Sequence, residues 1–405
     1  MWIERAILAS SREDRQSWIQ VFVGPRQCGK SSLLSRIGSG RYSHVTLDDL
    51  QMRTLAERDP ALFLEQNPLP LIIDEVQYSP NLLPELKRIV DIHKLRILET
   101  GSAQDSFHFR PIALVTGSNR ILLDKAVRES LVGRARYFLL NTLSVGEIHK
   151  AIPSMPLSRI VFNGGWPEIY ASDGISTVVY LNDYIRTYIE KDIVQSAGIE
   201  KHREFLLVLR LLAARTGQLM ELSSIANQSG VRANTVRDWI GVLEKMGVVS
   251  ILEPHSDNLN KRLTKTPKVY FLDTGLAVRL QGWSESEPVM NSPQGGHLFE
   301  TLVLAELVKF INNFSKPWSL RFWRTKEKEE IDFVLQVSPG RAIILDAKLG
   351  IQSVSPIEVP ATFKKSFPDT TEILIVSAGG ERRMLSKTCQ QVPLTKLVEV
   401  LLEIE

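Results

Sequence analysis

The sequence predicts an α/β protein built from several domains, and three observations point to it. Short apolar runs alternate with helical stretches over the first 140 residues. A helix-turn-helix pattern follows the middle of the chain, and strand-like segments bearing carboxylates lie near its end. At 405 residues the chain exceeds one ordinary core, so about two to four domains are expected. A hydrophobic content of 43% and a charged content of 23% exclude a disordered or collagen-like chain. The formal net charge of +3 excludes a polycation, so any nucleic-acid surface must be local.

Residues 18–23 read as a buried strand that runs into Gly24-Pro25-Arg26-Gln27-Cys28-Gly29-Lys30-Ser31, and residues 31–37 then open a helix. This G-x-x-x-x-G-K-[ST] pattern, set between strand and helix, is a phosphate-binding loop. Its backbone N–H groups and the helix N-terminus would cradle phosphates, with Ser32 in the first turn. Lys30 would reach the β- and γ-phosphates, and the Ser31 hydroxyl would ligate Mg²⁺. ATP and Mg²⁺ are therefore the expected cofactors.

A second strand is expected at 43–47. The run at 69–73 ends in Asp74-Glu75, as a central parallel strand should. There Asp74 would hold the Mg²⁺ shell, and Glu75 would polarise an attacking water as general base. Further strands are expected at 96–102, 112–118 and 136–140. Ser118 and Asn119, with Thr116, would hydrogen-bond the γ-phosphate or the water. Thr100 and Ser102 form a duplicate turn that competes for that role. Phosphoryl transfer also calls for a further cation, for which Arg134 and Arg186 are candidates. An arginine donated across a subunit interface would demand a homo-oligomer.

Prolines at 153 and 156 mark the expected end of this first domain, 1–155. Residues 156–200 are expected to form a helical lid. Residues 201–282 carry three helices and a hairpin, the pattern of a winged-helix domain. Gly230 breaks the first helix of the pair, and the apolar face of the second holds Val236, Trp239, Ile240 and Leu243. Residues 201–268 contain 11 Lys+Arg against 6 Asp+Glu, a local basic module. Arg232, Asn234, Thr235 and Arg237 stand where a recognition helix meets DNA, and Lys261, Arg262 and Lys265 lie in the wing. DNA is the expected partner. The competing reading is a winged helix that binds proteins.

Few large apolar residues occur at 283–296, which reads as a linker. A last domain, 290–405, is expected to hold a helix at 297–312 and strands at 320–323, 331–336 and 342–347. Glu300, Asp332, Asp346 and Lys348 make an Asp…Asp-x-Lys spacing similar to the PD-(D/E)xK nuclease arrangement, in which converging carboxylates bind Mg²⁺. Two cysteines, Cys28 and Cys389, cannot build a disulfide framework, which fits a reducing cytoplasm. No signal peptide and no membrane span are read from the sequence.

Taken in order, these motifs resemble a prokaryotic family of predicted AAA+-like P-loop ATPases with a C-terminal restriction-endonuclease-like domain of unknown function. The resemblance spans nearly the whole chain. Besides the glycine loop, its carriers are Ile73-Asp-Glu-Val-Gln77, Leu114-Val-Thr-Gly-Ser118, Ser130-Leu-Val-Gly-Arg134, Gly164-Gly-Trp-Pro-Glu168, Tyr188-Ile-Glu-Lys-Asp-Ile193, Leu211-Leu-Ala-Ala-Arg-Thr-Gly217, Tyr270-Phe-Leu-Asp-Thr-Gly275, Phe299-Glu300, Phe322-Trp-Arg324, Glu330-Ile-Asp332 and Asp346-Ala-Lys348. It implies ATP binding at Gly29, Lys30 and Ser31, hydrolysis through Asp74 and Glu75, and a nuclease-like site of Glu300, Asp332, Asp346 and Lys348. The chain departs from the family in the insertion around 99–111 and in Asp346, where glutamate is more usual. The expected activity is Mg²⁺-dependent ATP hydrolysis coupled to a DNA-binding module. The alternatives are a protein-binding ATP switch and an ATP-regulated nuclease.

Overall fold

The computed structural model describes residues 1–405 except 15, 101–110, 119–129, 256–265, 326–328, 351–355, 371 and 405. The chain divides into two units. One holds Arg5–Asn141 with Asn312–Phe314; the other holds Met1–Glu4, Thr142–Ile311 and Ser315–Glu405.

The first unit is built on five strands: β1 (Ile19–Val23), β2 (Ser43–Thr46), β3 (Leu71–Asp74), β4 (Ala113–Gly117) and β5 (Ala135–Leu139). They form one parallel sheet in the order β2-β3-β4-β1-β5. Every residue of β1, β3 and β4 is buried, which is why these strands read as unbroken apolar runs rather than alternating ones. Core clusters lie on both faces, one around Val21, Ile73 and Val115 and the other around Phe22, Ile72 and Leu114.

One expected strand is absent. Residues 96–100 belong instead to a 19-residue helix, Leu82–Thr100. Leu82, Leu83, Leu86 and Val90 are buried at helical spacing, and this longer pattern overrides the local strand-like look of 96–98. The remainder of that expected strand, 101–102, falls outside the described residues.

The second unit begins with helices through Val194–Ser196, including a nine-residue π-helix at Ile185–Ile193. The prominent motifs here have a structural cause. Asp273 accepts from the N–H of Gly165 (2.9 Å) and of Leu276 (3.1 Å), so it caps the helix Thr274–Leu280 while fixing the Gly164–Gly165 turn. A Cβ on Gly164 would fall 2.0 Å from the Asp273 carboxylate, so only glycine fits this approach.

There follow a helix at His202–Ala214, strand β6 (Gln218–Leu219), helices at Leu222–Ser229 and Ala233–Lys245, and strands β7 (Val249–Leu252) and β8 (Lys268–Phe271). The three strands form an antiparallel sheet in the order β6-β8-β7. Strand β6 is not legible in the sequence, being only two residues long. The segment expected as a linker holds a short helix at Glu287–Asn291.

The long helix Gly295–Asn313 leads into a six-stranded mixed sheet. Its strands are β9 (Ser319–Arg324), β10 (Glu330–Ser338), β11 (Arg341–Lys348), β12 (Glu372–Ser377), β13 (Arg383–Met384) and β14 (Cys389–Pro393), in the order β13-β14-β12-β11-β10-β9. Strands β9, β10 and β11 pair antiparallel, whereas β11, β12 and β14 pair parallel. The two sheets of this unit are joined. His255 donates to the Phe322 carbonyl (2.6 Å), Phe322 donates to the Glu253 carbonyl (3.2 Å), and Pro254 bridges Phe322, so the end of β7 runs onto β9. Among the described residues no helix is long and apolar enough to cross a membrane.

Candidate functional site

The glycine loop leaves the carboxyl end of β1, between β4 and β5, the position at which open parallel sheets bind ligands. Gly29 sits in the left-handed region (φ 92°) and starts the helix Lys30–Gly38. Gln27 is also left-handed (φ 60°), a strained conformation for a non-glycine residue. Pro25 is half-buried, Arg26 and Ser32 are exposed, and Ser31 opens the helix half-buried.

Two contacts fix this loop. A Cβ on Gly24 would lie 2.1 Å from the Leu140 carbonyl oxygen, so the loop lies directly on the end of β5. Arg5 is buried and donates to the carbonyls of Cys28 (2.8 Å) and Asn141 (2.6 Å). Arg5 was not legible as a site residue, because it lies far upstream and no spacing rule connects it to the loop. Cys28 is fully buried, its thiol against the Leu140 carbonyl. Lys30 is folded over the loop, its ammonium on the carbonyls of Gly24 (3.1 Å) and Pro25 (2.9 Å).

Asp74 ends β3 and Glu75 follows it in a left-handed turn (φ 57°). Adjacent β4 supplies the partners of both. The Thr116 hydroxyl donates to Asp74, and it accepts from the Glu75 N–H (3.0 Å). Ser118 donates to Glu75 through its hydroxyl (2.9 Å) and its N–H (3.3 Å), and the Gln77 amide donates to the same carboxylate oxygen. Burial pushes the Glu75 carboxyl up, but the Lys30 ammonium and the hydrogen bonds from Gln77 and Ser118 outweigh it and hold the group below its ordinary range. Asp48, just after β2, is raised by burial and by its neighbours Glu75 and Asp74. The donor set suits Mg²⁺, which takes one carboxylate and a hydroxyl and fills its other positions with phosphate oxygens and water. Ser31 and Asp74 would hold it here.

Arg134 makes a two-point contact with Asp91, Nε to Oδ1 at 2.6 Å and a terminal nitrogen to Oδ2 at 2.9 Å, and also donates to the Val132 carbonyl. It is therefore engaged within its own chain. Arg186 is exposed in the other unit. Asn119 lies outside the described residues.

Residues 16–110 match the model of the AAA domain. The first unit carries a P-loop ATPase domain. This ATPase domain is followed by two matches to domains of unknown function, DUF8612 at residues 156–287 and DUF4143 at 295–397. An uncharacterized protein of Mycobacterium tuberculosis is 27% identical over 405 residues, covering 98% of this chain and 85% of that protein. One of Methanocaldococcus jannaschii is 24% identical over 375 residues, covering 84% and 77%. Among solved structures, the Walker-type ATPase PABY2304 of Pyrococcus abyssi aligns with a TM-score of 0.40 and 17% identity, over 68% of this chain and 93% of that one. The ORC2 protein of Aeropyrum pernix, as an ADPNP-ADP complex, aligns with a TM-score of 0.33 and 14% identity, over 67% and 90%.

Beyond the ATPase domain, the second unit gathers two further sets of sequence-expected residues. Arg232, Asn234 and Arg237 are exposed at the start of the helix Ala233–Lys245, and Thr235 is half-buried. Arg237 donates to Asn234 (3.3 Å). Lys261, Arg262 and Lys265 lie outside the described residues.

Of the other set, Glu300 and Asp332 border a cleft of about 440 Å³, whose lining also includes Arg215, Lys268, His297 and Arg324. Asp346 and Lys348 lie on β11 and pair with each other at 2.5 Å. Asp332 accepts from the Ala347 N–H (2.9 Å). Burial, together with Glu300 and Asp346, pushes the Asp332 carboxyl up to about 8. Sequence reasoning missed Lys268, which starts β8: its ammonium lies 2.9 Å from Glu300 and 2.5 Å from Glu330. Tyr270 donates its hydroxyl to Glu300 as well.

Proposed function

We propose that this protein is a Mg²⁺-dependent ATP hydrolase whose second unit binds DNA. The observation that carries the first half is the placement of Lys30 and Glu75. The ammonium that would meet the phosphates acts on the carboxylate that would meet the water, the two following strands β1 and β3 on either side of β4.

On this reading Lys30 exchanges the carbonyls of Gly24 and Pro25 for the β- and γ-phosphates. The loop amides and the N-terminus of Lys30–Gly38 hold the remaining phosphate charge. Asp74, oriented by Thr116, would hold Mg²⁺ together with Ser31, and the ion would supply neutralisation of charge on the phosphate oxygens. Glu75 stays ionised at neutral pH, as a general base must, and Gln77 and Ser118 fix its direction. Glu75→Gln should retain ATP and lose turnover by about 10²-fold or more. Hydrolysis at the wild-type rate in that variant would remove Glu75 from the mechanism.

The DNA half rests on the order helix, strand, helix, helix, strand, strand at 202–271, a winged-helix order, and on the exposed cations of the helix Ala233–Lys245. Fluorescence anisotropy of labelled duplex against salt tests it. Phosphate contacts by Arg232 and Arg237 alone would give a slope of about −2 in log K against log salt, and the wing would steepen it. No salt-dependent affinity would move this helix to protein binding, the switch reading.

A further inference from the structure

A PD-(D/E)xK-like reading of the second unit requires Glu300, Asp332 and Asp346 to converge on a divalent ion. Each of these carboxylates already has a partner from the chain. Glu300 receives the Lys268 ammonium at 2.9 Å, the Tyr270 hydroxyl on the same oxygen, and His297 at 4.0 Å from the other oxygen. Asp332 receives the Ala347 N–H, and Asp346 pairs with Lys348 at 2.5 Å. Glu330, beside the cluster, receives Lys268 at 2.5 Å and Arg324 at 3.4 Å. Among the described residues, no group of three or more His, Cys, Asp or Glu is arranged to hold a metal.

Lys268 is the decisive group. Its side chain is only 5% exposed, yet it reaches two carboxylates on different elements, one on the long helix and one on β10. Burial alone would favour its neutral form, but the charges of Glu300 and Glu330 outweigh that and hold it protonated. Two half-buried carboxylates beside each other favour a cation between them, and Lys268 supplies it. Mg²⁺ would need near-octahedral oxygen ligands at about 2.0–2.1 Å. An ion that took the same Glu300 oxygen would have to displace both this ammonium and the Tyr270 hydroxyl.

We propose that Lys268 is the resident cation of this cluster and engages Glu300 in place of a divalent ion, so that Glu300, Asp332 and Asp346 do not together hold a metal. Lys268 is here a clasp between the sheet β6-β8-β7 and the C-terminal domain, made through Glu300 on the long helix and Glu330 on β10.

The test uses the full-length chain without nucleotide and Mn²⁺ as the probe, with bound ion counted by electron paramagnetic resonance. Wild type and Asp332→Asn should bind the same number of ions, because any weak binding at Ser31 and Asp74 is common to both. Loss of one bound ion in Asp332→Asn or in Glu300→Gln would overturn the proposal. Lys268→Met, checked for folding by its melting transition, should gain a site at least tenfold tighter than any in wild type, and adding Glu300→Gln should remove it. A folded Lys268→Met protein that gains no Mn²⁺ would equally overturn it. Should that variant not fold, the comparison of wild type with Asp332→Asn still decides. Neither outcome touches the Glu75→Gln test of the ATPase site, so the two readings fail separately.

Discussion

The guanidinium of Arg5 and the carbonyl of Cys28 are joined by a 2.8 Å hydrogen bond that ties the start of the first unit to the middle of the phosphate-binding loop. The same guanidinium holds the Asn141 carbonyl, so one buried cation sets the loop against the strand end beside it. Arg5→Met should cost about 2 kcal/mol or more in stability, since two charge-assisted bonds are lost and their acceptors stay buried. It should also raise KM for ATP more than it lowers kcat, because Arg5 touches the loop and not Glu75. Denaturant melts and steady-state kinetics check both.

Gly24→Ala tests the other fixed contact. A methyl group cannot stand 2.1 Å from the Leu140 oxygen, so either the loop or the end of β5 must shift. The expected result is at least a tenfold loss of nucleotide affinity in a folded protein, read by titration with a fluorescent ATP analogue. Gly241→Ala is the contrast. Nothing lies within 4 Å of its Cβ, and it sits inside the helix Ala233–Lys245. That change should stabilise by about 0.5–1 kcal/mol.

Arg134 and Asp91 form a partly exposed ion pair, with side-chain exposures of 26% and 34%. The Arg134 hydrogen bond draws the Asp91 carboxyl below its ordinary range. Solvent screening keeps such a pair to about 0.2–1 kcal/mol. Asp91→Asn should therefore leave the melting temperature nearly unchanged, and it frees Arg134. A rise in turnover in Asp91→Asn, abolished by adding Arg134→Ala, would identify Arg134 as the catalytic cation. Unchanged turnover in both variants would confine it to the surface pair.

The pH response of the second unit follows from Asp332. Its carboxyl is raised from 3.8 to about 8 in the folded state, with Glu300, Asp346 and Lys268 around it. Between about pH 4 and pH 8 the folded chain keeps a proton that the unfolded chain has released. Stability from this group is therefore complete below about pH 4, declines as pH rises, and is gone above about pH 8. The difference in unfolding free energy between wild type and Asp332→Asn should carry that slope. A flat difference would mean that Asp332 titrates normally.

Much of the first unit was legible because its strands are buried on both faces, and β1, β3 and β4 are continuous apolar runs. The strand expected at 96–102 failed because a seven-residue window cannot see a helical face that begins at Leu82. Strand β12 carries its own signal in Ile373-Leu-Ile-Val376, whereas β14 has no comparable run and is a strand through its pairing with β12. Lys30, Asp74 and Glu75 were readable from spacing. Thr116 gained a definite role, orienting Asp74, only when β3 and β4 proved to be neighbours. Lys268 was invisible as a site residue because its partners lie 32 residues away on the long helix and, further still, on β10.

The joining of β7 to β9 through Glu253, His255 and Phe322 changes what residues 283–296 mean. They look like a seam between modules, but the sheets on either side share backbone hydrogen bonds, the Lys268 clasp and the Thr216–Thr301 contact at 2.9 Å. Cutting the chain there would leave each half with buried polar groups whose partners have gone with the other. The stretches matched at 156–287 and 295–397 thus lie within one compact unit.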